Sequence, residues 1–272
     1  MAYLIVSVCV LAALFILRAA MGRLERNPGL TVAHTQIIGK RQVQADAFEW
    51  AVHDGRTLLV IADGIGSGTK GRTAALAVSA GIVRSFEMVG LLSNPAYFFR
   101  QAFHNANETV LRHVPDGTAG ANVLCALIRE GMLYYALAGD CRAAVFRGGS
   151  LISLSEGQTL DVLARNAFRR HTIGRKDARS VQKERRIYNY VGKDDFREPE
   201  MSDIPVALKA GDLVVLMTDG VYDFCPQRDL EEILHKRSDC EQKANDVIAF
   251  LERKKDAQQD NATVVIARID RA

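Results

Sequence analysis

Short uninterrupted apolar runs, separated by compact polar turns, set the rhythm of this chain. Runs at 58–62, 122–128, 133–138, 143–146, 213–217 and 263–269 have the length of buried strands. Between 121 and 154 they follow one another through tight turns, Arg129-Glu130-Gly131 and Arg147-Gly148-Gly149. That spacing predicts antiparallel neighbours, because parallel strands need crossovers of about a dozen residues or more.

A helical rhythm replaces the strand rhythm in four places. Residues 71–89 are rich in Ala and apolar on most faces, which predicts a largely buried helix. Asn94 followed by Pro95 has the form of an N-cap and first helical position, and Phe99, Phe103, Ala106 and Val110 then share one stripe. Further helices are predicted over 228–236 and 241–252. Helices grouped between antiparallel strands indicate an α+β domain with helices packed on sheet faces. It runs as one unit from about residue 31, after the polar stretch Asn27-Pro28-Gly29, with no internal repeat. Residues 159–186 are charged and lack apolar periodicity; they read as an excursion over the sheet or beside a site, or equally as a solvated surface insertion.

The N-terminus follows a different pattern. Residues 2–17 carry no charge, and Arg18 interrupts the run only before Ala19, Ala20 and Met21. At about 1.5 Å per residue, these roughly 20 positions just cross a hydrocarbon core of about 30 Å. A cleaved signal peptide fits less well: no Lys or Arg precedes the run and no clear small-x-small cleavage site follows it. Arg18, Arg23, Arg26, Lys40 and Arg41 follow the segment, and the positive-inside tendency places the rest of the chain in the cytoplasm. The expectation is a single transmembrane anchor at 2–21, a linker at 22–33 and a catalytic domain at 34–270.

Composition narrows the chemistry by exclusion. With 48% hydrophobic and 25% charged residues in 272, the chain is of ordinary globular make-up. Its net charge of +3 is small and its basic residues form no stripe, so nucleic acid is not an expected partner. Five cysteines without a CxxC pair, and six scattered histidines, argue against a disulfide framework and against zinc.

The acids carry the positive signal. Three apolar runs end in an Asp beside a Gly: 58–62 in Asp63-Gly64, 133–138 in Gly139-Asp140, and 213–217, after Thr218, in Asp219-Gly220. Asp260 precedes the last run, and Asp46 follows Arg41 by five residues. One Asp-Gly pair is ordinary turn chemistry. Several such acids on neighbouring strand ends repel one another unless a cation neutralises them. Hard divalent ions such as Mg2+ or Mn2+ take all-oxygen ligands of this kind. Two bridged ions suit phosphoester hydrolysis, with Arg41 as the candidate bidentate phosphate ligand.

These residues resemble the metal-dependent protein phosphatases of the PPM (type 2C) family, over nearly all of 34–270. Gly39-Lys40-Arg41 with Asp46-Ala47-Phe48 is similar to the opening Arg and Asp motif, and Ala62-Asp63-Gly64-Ile65-Gly66 to the central Asp-Gly motif. Gly117-Thr118-Ala119, Gly139-Asp140-Cys141-Arg142, Thr218-Asp219-Gly220-Val221-Tyr222-Asp223 and Asp260-Asn261-Ala262-Thr263 follow in the family's order. The resemblance implies two packed central antiparallel sheets flanked by helices, a four-layer αββα sandwich. It also implies that Asp63 bridges two Mg2+ or Mn2+ ions, that Asp219 and Asp260 hold the first, and that the Gly64 carbonyl contacts the second. Asp46 then supports metal-bound waters, Asp140 serves a weaker third ion, and Arg41 binds phosphate. Residues 159–186 correspond to the variable flap beside the active site.

The implied activity is hydrolysis of phosphoserine and phosphothreonine on proteins, within a Ser/Thr kinase circuit at the membrane. Four positions depart from the family pattern. Ala45 stands where many members carry a second acid, which bears on how firmly the second metal is held; Cys141 replaces a Ser, Arg72 a frequent Glu, and Ile65 a His found in animal members. Two other readings compete: a catalytically weak binding or regulatory module, favoured by Ala45, and a membrane-tethered scaffold whose acids are only turn residues.

Overall fold

A computed structural model describes residues 29–88, 94–114, 117–181 and 186–271. Among these residues the strands form two sheets in which every pairing is antiparallel. The first has the order β1 (Leu30–Ile37), β11 (Ala262–Ile269), β10 (Leu213–Met217), β6 (Arg142–Arg147), β7 (Ser150–Ser153). The second has the order β2 (Ala47–His53), β3 (Arg56–Ile65), β4 (Gly120–Arg129), β5 (Met132–Ala138), β8 (Glu200–Met201), and β9 (Val206–Ala207) also pairs with β5.

The apolar runs are continuous because the central strands are covered on both faces. On β3 and β4, Leu58, Val60, Val123 and Cys125 face α1 (Lys70–Met88) and α2 (Pro95–His113), meeting Val78, Ile82, Phe99 and Phe103. The alternate residues Leu59, Ile61 and Leu124 face the other sheet, where Val214, Leu216 and Val265 meet them. On the far side of that sheet, Val215, Val264 and Ile266 pack on α6 (Gln227–His235) and α7 (Cys240–Lys254) through Leu230, Ile233, Val247 and Leu251. The result is the expected four-layer αββα sandwich. Burying each large aliphatic side chain contributes about 1.5–3 kcal/mol, so the layers are held chiefly by these three interfaces.

Local signals set the helix starts. The Asn94 side chain accepts from the Ala96 and Tyr97 amides, with Pro95 in the first turn. The Asp239 side chain accepts from the Gln242 amide at the start of α7. Both satisfy amide donors that a helix N-terminus leaves without partners.

Three features differ from the sequence expectation. Strands β4 to β7 are not one meander: β4 pairs with β5 and β6 with β7, but β5 and β6 lie in different sheets. Gly139, at φ +109°, and Asp140 carry the chain across instead, and the free side of β5 is taken by β8 and β9. Strand β1 begins at Leu30, inside the stretch expected as linker, because it caps the first sheet along the whole of β11. The charged stretch expected as a flap carries two helices, α3 (Leu160–Arg169) and α4 (Arg175–Val181), rising from a bridge between Thr159 and Ile187. The anchor expected at 2–21 lies outside the described residues, among which no helix is long and apolar enough to cross a membrane.

Antiparallel pairing also decides where the functional residues gather. The start of β2, the end of β3, the start of β4 and the end of β5 share one edge of the second sheet. The end of β1, the start of β11, the end of β10 and the start of β6 share one edge of the first. The β5–β6 connection joins these two edges, so they form one end of the sandwich.

Candidate metal centre

Every acid singled out from the sequence sits at that end. Asp46 immediately precedes β2, Asp63 ends β3 opposite Asn122 of β4, and Asp140 lies in the β5–β6 crossing. Asp219 opens the short helix α5 (Asp219–Tyr222), and Asp260 precedes β11.

Hydrogen bonds fix the carboxylates individually. Asp63 Oδ2 accepts from Asn122 Nδ2 at 2.9 Å, across the β3–β4 pair. Asp46 Oδ2 accepts from the hydroxyls of Thr218 at 2.9 Å and Thr263 at 2.7 Å, at the ends of β10 and β11. Its other oxygen, Oδ1, is buried without a hydrogen-bond partner. Asn261 clasps two loops: its Oδ1 accepts from the Ala45 amide and its Nδ2 donates to the Ile38 carbonyl, both at 2.8 Å. Tyr222 donates from its hydroxyl to the Asp140 carbonyl at 2.8 Å, while the Arg142 guanidinium stacks 3.7 Å over the Tyr222 ring. None of Asn122, Thr218, Thr263 or Asn261 was assigned a role from the sequence; Thr218, Asn261 and Thr263 were signalled by their places in the Asp motifs, and Asn122 by nothing local.

Electrostatics ties the acids into one group. Burial raises the Asp63 carboxyl well above its usual range, Asp46 and Asp219 raise it further, and the Asn122 hydrogen bond only partly opposes them. Asp219 is pushed up to about 7, first by burial and then by Asp140 and Asp260. Asp46 is pushed up to about 6 by burial, against the pull of the two threonine hydroxyls. Ionising such a group without a counter-charge is costly. Arg41 brings a cation to this group, but its guanidinium is bound to one member: Nε lies 2.6 Å from Asp260 Oδ1 and Nη2 2.5 Å from Oδ2. The structure therefore pairs the expected phosphate ligand with an expected metal ligand, an arrangement the sequence did not reveal.

A cleft of about 490 Å³ opens over this group, with Arg41, Ala45, Asp63, Gly64, Asp260 and Asn261 in its walls. Gly64 is required by close approach: a Cβ there would lie 2.3 Å from the Gly71 carbonyl oxygen and 2.8 Å from that of Ala45. Ala45 brings no carboxylate to the cleft. Among the described residues, no three His, Cys, Asp or Glu side chains converge closely enough to enclose a bare ion. Hard divalent cations, Mg2+ above all, retain several waters and take only one or two carboxylates each. The donor set fits such hydrated ions: all oxygen, buried on one side, with the Asp46, Asp63 and Asp219 carboxyls raised by burial and by neighbouring acids, and including an unsatisfied Asp46 oxygen.

A four-layer sandwich with an acid-lined cleft at one end of its two sheets is the architecture of a metal-dependent protein phosphatase. The protein phosphatase 2C family model matches residues 35–259, and the chain belongs to that family of serine/threonine phosphatases. It is 21% identical to the serine/threonine phosphatase stp of Listeria monocytogenes over 224 residues, covering 80% of this chain and 86% of the relative. Its fold superposes on the serine/threonine phosphatase of S. agalactiae with a TM-score of 0.77, at 19% identity, covering 88% of this chain and 99% of that one. It superposes likewise on the catalytic domain of the serine/threonine protein phosphatase PstP, a complex with two manganese ions, with a TM-score of 0.71 at 22% identity, covering 88% and 97%.

Proposed function

We propose that this chain removes phosphate from phosphoserine and phosphothreonine side chains of proteins at the Asp63 cleft. The observation that carries the reading is the meeting of Asp46, Asp63, Asp140, Asp219 and Asp260 at one end of the sandwich, with Arg41 at the cleft wall. Asp63 would serve both of two Mg2+ or Mn2+ ions, Asp219 and Asp260 would hold the first, and the Gly64 carbonyl would serve the second. Asp140 is assigned a weaker third. Such ions, when bound, lower the pKa of a water and offset the charge of the phosphoryl oxygens.

The protein's own groups supply position. The β3–β4 pairing and Asn122 fix the direction of Asp63. Thr218 and Thr263 hold Asp46 as a hydrogen-bonded support at the back of the cleft, one oxygen turned away from them. Among the described residues the Arg41 guanidinium is bonded to Asp260, and its side chain is 61% exposed, so a phosphate in the cleft competes for a guanidinium with little packing to lose.

The test is turnover of p-nitrophenyl phosphate and of a phosphothreonine peptide by the full chain, with Mn2+ and with EDTA. Turnover of both substrates with Mn2+ and none with EDTA is expected. Folded protein without turnover on any divalent metal would favour the second reading, a phosphoprotein-binding module, for which the missing acid at Ala45 is the supporting observation.

The apolar run at 2–21, interrupted only by Arg18, supports a membrane anchor, with the phosphatase domain on the cytoplasmic side and phosphoproteins of a membrane-associated Ser/Thr kinase circuit as substrates. The full chain is expected to sediment with membranes and resist a carbonate wash, and a chain lacking residues 1–21 to remain in the supernatant. Equal partition of the two into the supernatant would remove the anchor.

A further inference from the structure

Three backbone segments bring Arg41, Asp219 and Asp260 together, and one residue from outside the recognised motifs joins them, through its backbone to the first and its side chain to the other two. Gln259 is 4% exposed. Its Nε2 donates to the Gly220 carbonyl at 2.9 Å and to the Asp260 carbonyl at 3.1 Å. Its own carbonyl accepts from the Lys40 amide at 2.8 Å. Gln259 is thus bonded to the residue before Arg41, to the residue after Asp219, and to Asp260 itself.

The packing around it leaves little slack. A Cβ on Gly39, at φ +61°, would lie 2.5 Å from the Gln259 carbonyl oxygen and 2.3 Å from that of Asp260. A Cβ on Gly220 would lie 2.0 Å from the Asn261 carbonyl oxygen. The backbones of 39–40, 220 and 259–261 therefore run against one another with no side chain between them. In that packing two carbonyl oxygens, of Gly220 and Asp260, are turned towards one buried amide nitrogen. Each carries partial negative charge, and without the shared donor both lose their partner and repel. Two carbonyl acceptors also fix which end of the Gln259 amide faces them. The other end, Oε1, is buried without a partner, so the side chain satisfies the two carbonyls at the expense of its own oxygen.

The geometry points to Gln259 as a positioning residue of the metal centre, setting the spacing between the Asp219 and Asp260 carboxylates and the Arg41 loop. The inference rests on the metal-centre reading above. It separates the residue from the fold as a whole, because its bonds go to the backbones that carry the carboxylates.

The test is direct titration of Mn2+ into the full chain, followed by the electron paramagnetic resonance signal of free Mn2+, alongside thermal unfolding of the metal-free protein. Gln259→Met keeps the length and removes the donor; Gln259→Glu turns a second acceptor towards the two carbonyls. Both are expected to remain folded and to bind Mn2+ about 10-fold or more weakly, the range seen when an outer partner of a metal ligand is lost. If the wild-type chain bound no Mn2+, the metal-centre reading itself would fail. If it bound Mn2+ and both variants bound within twofold of it, only the assignment of Gln259 would be overturned. If both variants failed to fold, Gln259→Asn, with the donor on a shorter stem, is titrated instead. A 10-fold loss there supports the assignment, and affinity within twofold or a further failure to fold overturns it in favour of a scaffold role.

Discussion

Replacing Asp63 with Asn is expected to lower kcat/KM on a phosphothreonine peptide by about 1,000-fold or more while raising the melting temperature of the metal-free protein. A 1,000-fold loss corresponds to about 4 kcal/mol of transition-state stabilisation. The two signs come from one cause. Asp63 sits among Asp46, Asp219 and Asp140, and desolvation first, then each of those carboxylates, makes its ionised form less favourable. An Asn keeps the volume and can still accept from Asn122, so the β3–β4 register is undisturbed. It removes the negative charge that repels its neighbours, and with it the residue assigned to both metal ions. A carboxylate retained only for folding would behave in the opposite way, its loss lowering stability. Activity assays and thermal unfolding in EDTA check both halves. Full activity in the variant would remove Asp63 from the centre. A large drop in metal-free stability would make it a structural acid.

Much of the sandwich was legible because its strands are covered on both faces. Leu58 to Ala62 and Val123 to Leu127 are apolar at every position, since odd and even residues enter different interfaces. The elements that escaped notice lack that property. Strand β1 is an edge, and its sequence Leu30-Thr31-Val32-Ala33-His34-Thr35-Gln36-Ile37 is only half-buried. Strands β8 and β9 are two residues each, too short for a periodic signal. The division of β4 to β7 between two sheets was invisible for a physical reason. A two- or three-residue turn is compatible with a hairpin, and what prevents one at Gly139-Asp140 is tertiary: β6 pairs with β10, some seventy residues later.

The site was legible at its acids and illegible between them. Asp beside Gly at the end of an apolar run is a local signal that Asp63, Asp140 and Asp219 carry, and these three gathered with Asp46 and Asp260 as the topology requires. What holds them is not local. Thr218 and Thr263 meet on Asp46 from strands distant in sequence, and Asn261 joins Ala45 to Ile38 across more than two hundred residues. The Arg41–Asp260 pair belongs to the same class, being 219 residues apart. Single-sequence patterning reports what each strand end carries, and only the closed sandwich reports which strand ends meet.

Burial of the acids, together with their mutual repulsion, gives the metal-free protein an inverted response to pH, the second large effect expected. Asp46 and Asp219 have folded-state values of about 6 and about 7, and Asp63 is raised in the same direction. In the unfolded chain all three titrate near 3.9. Between these limits the folded state binds more protons, so stability falls as pH rises. Their contribution is fully present below about pH 4 and is lost as pH passes through about 6 to 7. His34, whose pKa is lowered by burial, works in the opposite sense, but as one half-buried group against three acids. In EDTA the melting temperature is therefore expected to be on the order of 10 °C higher at pH 5.5 than at pH 7.5, taking several kcal/mol at roughly 2–4 °C each for a domain of this size. Saturating Mn2+ at pH 7.5 supplies the missing counter-charge and binds only the folded chain, so it should recover most of that difference. Differential scanning calorimetry at the two pH values, with and without Mn2+, measures all four terms. A metal-free melting temperature that stayed level or rose between pH 5.5 and 7.5 would mean that the carboxylates are already neutralised within the fold, by Arg41 and the surrounding amides. A divalent metal would then have no repulsion to relieve.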